Sequence, residues 1–234
     1  MTNNREILTV PRPKEKAKAL YDRISKWYDT LAGPFERKYR DIGVQKLSAK
    51  EGETVLEIGF GTGHCLLALA QSVGDTGKVY GIDISEGMFN ITQSRIREAG
   101  LSERVQLKHG DAVKLPFETD SFDAIFMSFT LELFDTPEIP AVLHECKRVL
   151  RNNGRICVVA MSKKGKAGLM MRLYEWGHKK FPDYADCRPI FAQEALEDAG
   201  FQILHGKVVS MWGLPGEIVV ARKAMLATRS PSEP

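Results

Sequence analysis

Glu57, Gly59, Gly61, Gly63 and Asp83 are the residues of this 234-residue chain whose types and spacing could do chemistry. The first four lie in TVLEIGFGTGH, Thr54 to His64, where a short β-branched and apolar run meets an acid and then three glycines at alternate positions. The apolar run Cys65 to Ala70 follows and predicts a helix. A strand feeding a tight glycine turn and then a helix is how an open α/β sheet approaches a nucleotide-like ligand. Glycine is needed where the backbone takes positive φ or where a Cβ would collide with the ligand. The helix N-terminus beyond it offers unpaired N–H groups and partial positive charge, suited to a carboxylate or phosphate. Asp83 ends a second strand in KVYGIDIS (Lys78–Ser85), 20 residues beyond Gly63. A carboxylate there can accept both hydrogen bonds of a ribose diol.

The spacing separates two cofactor classes. A dinucleotide fingerprint, G-x-G-x-x-G/A, would put Gly or Ala at position 64. That position is His64, and the third glycine comes one residue early. G-x-G-x-G with Glu57 two residues ahead resembles motif I of the class I S-adenosylmethionine-dependent methyltransferases. Further matches follow in order. A third strand, Val105–Lys108, closes in His109-Gly110-Asp111-Ala112, which resembles the family segment that holds the adenine ring. Leu115-Pro116-Phe117 and Ser121-Phe122-Asp123 lead into a fourth strand, Ala124–Ser128. This pattern resembles the small-molecule branch that includes the ubiquinone and menaquinone C-methyltransferases and related lipid methyltransferases. Glu145 to Leu150, then Arg151 to Gly154, resembles the family's E-x-x-R-V-L-x-x-G-G helix, turn and fifth strand. YDRISKWYD (Tyr21–Asp29) resembles an N-terminal signature of the quinone enzymes. The likeness covers residues 20 to 160 well and the C-terminal third loosely.

The resemblance implies an α/β fold, a doubly wound, mostly parallel seven-stranded sheet with an N-terminal helical cover and a lid inserted after strand five. It implies S-adenosylmethionine as cofactor, with Glu57, Gly59, Gly61 and Gly63 shaping the methionine end and Asp83 binding the ribose. Ile84 and Met88 would pack near the adenine, with Asp111 and Ala112 fixing the base. Tyr28, the second aromatic of the signature, would reach the methionine carboxylate or close the pocket. Ser128 would lie where acceptor and sulfonium meet, with Phe129 and Thr130 after it as substrate contacts. Met170 would meet the substrate from the lid.

Composition bounds the rest. Hydrophobic content of 43% supports a packed core, and charged content of 27% fits a soluble surface. No run of about 18 apolar residues appears, so no spanning helix is expected. The N-terminus lacks an apolar signal region, and a cytoplasmic protein is expected. Cys65, Cys146, Cys157 and Cys187 show no C-x-x-C pairing, which predicts buried thiols and no structural metal. Net charge is only +3, but residues 1–50 hold 12 Lys and Arg against six acids. This basic front end on an acidic remainder points to an anionic partner: a lipid surface, nucleic acid or an acidic substrate.

The elements fall into one domain over residues 14–222, between an arm at 1–13 and a polar tail at 223–234. The cover, 14–50, carries helical spacing in Ala17, Leu20, Ile24 and Trp27, and a second helix from Pro34 to Lys50. Strands are predicted near 54–59, 78–83, 105–109, 122–128 and 154–161. Helices are predicted at His64–Val73, Glu86–Ala99 and Pro137–Leu150, with Gly100, Asn153 and Gly154 as stops. A last helix, Phe191–Ala199, precedes an antiparallel hairpin of Phe201–Ser210 and Glu217–Ala221. The segment 162–190 breaks this rhythm, with Lys163, Lys164, Lys166, Arg172, Lys179 and Lys180 beside Leu169, Met170, Met171, Tyr174, Trp176 and Phe181. A basic amphipathic lid of this kind suits a long apolar substrate entering from a membrane face.

No catalytic base announces itself. His178 and Tyr174 in the lid are the candidates for base or substrate contact, and His64 could touch the cofactor's carboxylate end. The expected function is methyl transfer, by in-line displacement, to a small, hydrophobic or lipid-like acceptor: a quinone precursor or a phospholipid-type amphiphile. The alternatives are an RNA methyltransferase and a non-catalytic S-adenosylmethionine-binding module. Met127-Ser128-Phe129-Thr130 stands where exocyclic-amino methyltransferases of nucleic acid carry [D/N]-P-P-[Y/F], so no nucleic-acid partner is expected. VVAMSKKGKAG after strand five lacks the E-F-S/K-P run typical of the quinone enzymes, which leaves the acceptor open.

Overall fold

The computed structural model describes residues 18–23, 33–164, 188–211 and 213–224. After a helical stretch at 18–23 comes α1 (Gly33–Leu47), and then strands and helices alternate. They are β1 (Thr54–Ile58), α2 (His64–Ser72), β2 (Lys78–Asp83), α3 (Glu86–Glu98), β3 (Val105–His109) and β4 (Phe122–Ser128). A short 3₁₀ turn, Leu131–Leu133, leads to α4 (Ile139–Val149) and β5 (Leu150–Met161). The chain ends in α5 (Ala192–Asp198), β6 (Phe201–Met211) and β7 (Leu214–Lys223). The seven strands form one sheet in the order β3-β2-β1-β4-β5-β7-β6. β1 to β5 pair in parallel, and β7 joins β5 and β6 in antiparallel register.

Strand periodicity explains why both faces are covered. In β5, Ile156, Val158 and Ala160 join one buried cluster while Cys157, Val159 and Met161 join the other. β4 divides in the same way, Phe122, Ile125 and Met127 from Ala124 and Phe126. A strand apolar on both faces must lie centrally and be covered by helices on each side. α4 and α5 cover the first face through Val142, Leu143, Cys146 and Leu196. α1 and α2 cover the second through Tyr39, Leu47, Leu66 and Leu69.

The sequence placed the elements in the right order and missed some ends. α4 stops at Val149, because Leu150 already pairs with Phe122 as the start of β5. Asn153 and Gly154, expected as helix stops, lie inside that strand. Between Leu150 and Arg155 the chain advances five residues against two on β4, a bulge in which Asn153 takes φ +63°. α1 ends at Leu47 rather than Lys50, with Ser48 at φ +53°. β6 and β7 are longer than expected, and Lys223, assigned to the tail, closes β7. Cys65, Cys146 and Cys157 are buried free thiols; Cys187 lies outside the described residues. The arm at 1–13, the rest of the tail, most of the first cover helix and the lid between 165 and 187 also lie outside them. No described helix is long and apolar enough to cross a membrane.

Candidate functional site

The carboxyl ends of β1, β2, β3 and β4 share one edge of the sheet. Successive strands run outward from β1 through β2 to β3, whereas β4 lies on the other side of β1. That reversal opens a crevice, the usual ligand position in an open α/β sheet. The glycine turn between β1 and α2 stands in it. Gly59, Gly61 and Gly63 all take positive φ, at +71°, +53° and +84°.

Their surroundings give the three glycines different work. A Cβ on Gly59 would overlap the Thr130 side chain, and one on Gly63 would come within 2.6 Å of Thr92 Cγ2. A Cβ on Gly61 would meet nothing within 4 Å. The outer two therefore let β4's exit and α3 press against the turn, and only the middle one faces open space. Thr92 Oγ1 donates to the Gly61 carbonyl at 2.8 Å, and Arg95 Nη1 donates to the Thr62 carbonyl at 2.8 Å. Arg95 Nη1 also lies 3.0 Å from His64 Nε2, so His64 turns toward α3. Gly63 supplies no side-chain cap to α2, and the positive end of that helix faces the crevice side of the turn, where it favours an anionic group.

Two acids bracket this turn. Asp83 Oδ2 accepts the Gly61 N–H at 2.9 Å, and its Oδ1 accepts the Ser85 N–H at 2.9 Å. Burial raises its pKa from 3.8 to about 6, against the pull of those amides and of His109. Glu57 is 2% exposed, and its Oε2 has no hydrogen-bond partner among the described residues. Burial holds its carboxyl well above the usual range; Arg40 draws it down and Asp83 pushes it further up. A buried carboxyl with an idle oxygen is costly unless a donor arrives.

The remaining expected residues are spread along the same edge. His109 pairs with Asp83 across β3 and β2, and its Nε2 donates to the Ile84 carbonyl at 2.8 Å. Asp111 Oδ1 accepts the Val113 N–H at 3.0 Å, which fixes the turn carrying buried Ala112. Met88 is buried in the first turn of α3. Ser128 is half-buried at the end of β4, and its carbonyl accepts the Thr130 hydroxyl at 3.0 Å. Phe129 takes φ +51°, and its ring belongs to the core cluster that contains Tyr39 and Phe126. Phe129 and Thr130, expected at the substrate, thus have buried side chains, Thr130 against the back of the glycine turn. Tyr28, Met170, Tyr174 and His178 lie outside the described residues.

Sequence reasoning passed over two buried charges beside the crevice. Glu132 is fully buried, and its Oε1 accepts the Met161 N–H at 2.9 Å. Arg188, also fully buried, donates from Nη1 to Thr136 Oγ1 at 3.1 Å and from Nη2 to the Phe134 carbonyl. Burial lowers the Arg188 pKa, opposed by Asp135 and Glu132. The available signal was one acid inside the apolar run FTLELF, Phe129 to Phe134.

The residues present fit S-adenosylmethionine on two observations. The Gly61 position is a space that a side chain would fill, and Glu57 holds a buried oxygen with no partner among the described residues, to which an ammonium can donate. The comparisons agree. Residues 55–154 match the methyltransferase domain family. The demethylmenaquinone methyltransferase of Lactobacillus johnsonii is 31% identical over 182 residues, covering 76% of this chain and 73% of that one. The Bacillus velezensis enzyme of the same name is 31% identical over 154 residues, 64% of this chain. The chain spans 65% of that relative's length. Among solved structures, an S-adenosylmethionine-dependent methyltransferase from Aquifex aeolicus is 27% identical, with TM-score 0.58 over 79% of this chain and 89% of that one. The [4+2]-cyclase SpnF shares the fold at TM-score 0.75 and 21% identity, over 94% of this chain and 99% of that one.

Fold and cradle together define a class I S-adenosylmethionine-dependent methyltransferase, and S-adenosylmethionine is its cofactor. Within that class, the chain belongs to the family of the demethylmenaquinone methyltransferases.

Proposed function

We propose that this chain methylates a small, apolar or lipid-like acceptor, with a quinone precursor as the first candidate and a phospholipid-type amphiphile as the second. The methyl-transfer part of the reading is carried by the Gly61–Asp83 hydrogen bond beside the buried Glu57, which makes one continuous cofactor cradle. The names of the relatives support a quinone-type acceptor. The same-fold cyclase shows that this architecture also serves other chemistry, so the acceptor must be argued from this chain's own site.

When bound, S-adenosylmethionine supplies a methyl group already activated on sulfonium, so the hard step belongs to the cofactor. The protein's share is to bind, orient and exclude water. Glu57 accepts the ammonium of the methionine end, Asp83 accepts the ribose hydroxyls, and Asp111 with the Ala112 N–H fixes the adenine. Ile84 and Met88 line the adenine side, and Tyr28 closes the methionine end. The crevice at Ser128 receives the acceptor, and Met170 meets it from the segment 162–190, which serves as a lid. Phe129 and Thr130 shape that end of the crevice. Tyr174 and His178 are the candidates for base and substrate contact, and one of them takes the single proton that a carbon or hydroxyl nucleophile gives up. The basic front end makes a peripheral contact with anionic lipid, which places a cytoplasmic enzyme beside a membrane-borne acceptor.

Transfer of label from radiolabelled S-adenosylmethionine to a cell extract, split into lipid, small-polar and RNA fractions, tests the reading. Label in a quinone or other lipid supports it, and label confined to RNA overturns it.

A further inference from the structure

Asp22 sits 63 residues before Ser85 in sequence and touches it in space. Asp22 Oδ1 accepts the Ser85 hydroxyl at 2.6 Å and the Gly87 N–H at 2.9 Å, and its Oδ2 lies 3.2 Å from Lys18 Nζ. Ser85 is the N-cap of α3, and its Oγ also accepts the Met88 N–H at 3.1 Å. Its own N–H goes to Asp83 Oδ1. Every polar bond that sets the orientation of Ser85 is therefore in use, and the chain of bonds runs from Asp22 through Ser85 to Asp83 and on to Gly61.

We propose that Asp22 is a positioning residue for the cofactor cradle, locking the Ser85–Gly87 turn that aims Asp83 and docking the 18–23 helical stretch against it. The proposal rests on the reading that Asp83 takes the ribose. Two physical facts favour Asp22 for the task. A carboxylate at the N-terminus of the 13-residue α3 meets both unpaired amides and the positive end of the helix dipole. A hydroxyl has one proton to give, and Asp22 is where the Ser85 proton goes, so the hydroxyl's lone pair is left aimed at Met88. Burial alone would raise the Asp22 pKa, yet the bonds from Gly87, Ser85 and Lys18 hold it below the ordinary value. The carboxylate thus stays charged in place.

The test compares Asp22→Ala, Asp22→Asn and Lys18→Ala with the wild-type chain. It measures S-adenosylhomocysteine affinity by calorimetry, the separate KM and kcat for S-adenosylmethionine, and tryptic cleavage after the exposed Arg23. Asp22→Ala is expected to weaken S-adenosylhomocysteine about tenfold, the scale of losing a capping contact, and to raise KM with little change in kcat. It is also expected to make cleavage at Arg23 fast whether or not the ligand is present. Asp22→Asn keeps an oxygen that accepts both hydrogen bonds and should lose about threefold or less. Lys18→Ala, which removes a half-exposed ion pair, should bind as wild type. General unfolding would accelerate cleavage along the whole chain rather than at Arg23. Asp22→Ala binding within about twofold of wild type, with unchanged cleavage, overturns the proposal. Asp83→Ala is run in parallel. If it binds normally, the ribose reading fails by itself, and cleavage at Arg23 alone then decides whether Asp22 docks the N-terminal helix.

Discussion

Three glycines that look equivalent in sequence do different work at the residue scale, and substitutions should separate them. Gly59→Ala forces a Cβ into Thr130 at a left-handed position. Overpacking and backbone strain together predict a loss of about 3 kcal/mol in urea unfolding. Gly61→Ala meets no neighbour, so about 1 kcal/mol of strain is its whole cost to the ligand-free fold. Its damage is to the ligand: Gly61→Val should abolish S-adenosylhomocysteine binding in calorimetry while the ligand-free protein still unfolds cooperatively. Asp83 adds a pH signature. Its folded pKa of about 6 stands above the ordinary 3.8, so its contribution to ligand-free stability is full below about 4 and is lost as pH rises through 6. Ligand affinity runs the other way, because a ribose diol needs the ionised carboxylate. Binding of S-adenosylhomocysteine should weaken as pH falls below about 6, and Asp83→Asn should flatten that dependence. A wild-type affinity that holds constant from neutral to acid pH would remove Asp83 from the ribose.

Pairing of distant segments decides matters at the scale of elements, and here the sequence was legible in part. The E-x-x-R-V-L-x-x-G-G resemblance marks a helix, a turn and the fifth strand. Its residues turn out to be a splint. Arg148 makes two 2.7 Å bonds to Glu145 and donates to the carbonyls of Phe117 and Leu115, while Glu145 accepts the Leu115 N–H. This ties α4 to the loop that follows the adenine segment. Arg155 does the same on the opposite face of the sheet, gripping Glu53 at 3.0 and 2.7 Å and the carbonyls of Leu47 and Ser48, which join α1, β1 and β5. Alternation and glycine spacing revealed the strands because they are local signals. These splints were hidden because their partners lie about 30 to 108 residues away. Glu132 and Arg188 were hidden for the same reason. Arg155→Ala should cost about 2 kcal/mol, the scale of charge-assisted hydrogen bonds. Its pH signature follows from Glu53: although burial raises that pKa, Arg155 brings it below the ordinary 4.5. The stability it contributes is present above that value and lost as pH falls through the folded pKa. The stability gap between Arg155→Ala and wild type should therefore narrow in acid, down to the share of the bonds to the Leu47 and Ser48 carbonyls.

The whole molecule shows a charge asymmetry that its fold does not require. Residues 1–50 carry a net +6 and the remainder a net −3, and the buried faces of the sheet require neither sign. Within α1, Arg40 lies 3.6 Å from Glu36 and Arg37 3.9 Å from Asp41, so part of that charge is paired along the helix. The Arg37–Asp41 pair is exposed on both sides and adds little to stability, so its charges remain available to a surface. Each Lys or Arg near an anionic bilayer contributes about 1 kcal/mol at ordinary salt, and the attraction decays within a Debye length of about 10 Å at 0.1 M. The proposed membrane contact therefore predicts co-sedimentation with phosphatidylcholine vesicles that contain phosphatidylglycerol, and none with phosphatidylcholine alone. Binding should fall steadily as salt is raised, and Arg37→Glu combined with Lys38→Glu should weaken it further without moving S-adenosylhomocysteine affinity. Equal binding to both kinds of vesicle would assign the contact to apolar side chains. No binding to either would return the basic front end to the role of a solvated helix face, and a lipid acceptor would then have to reach the crevice from solution.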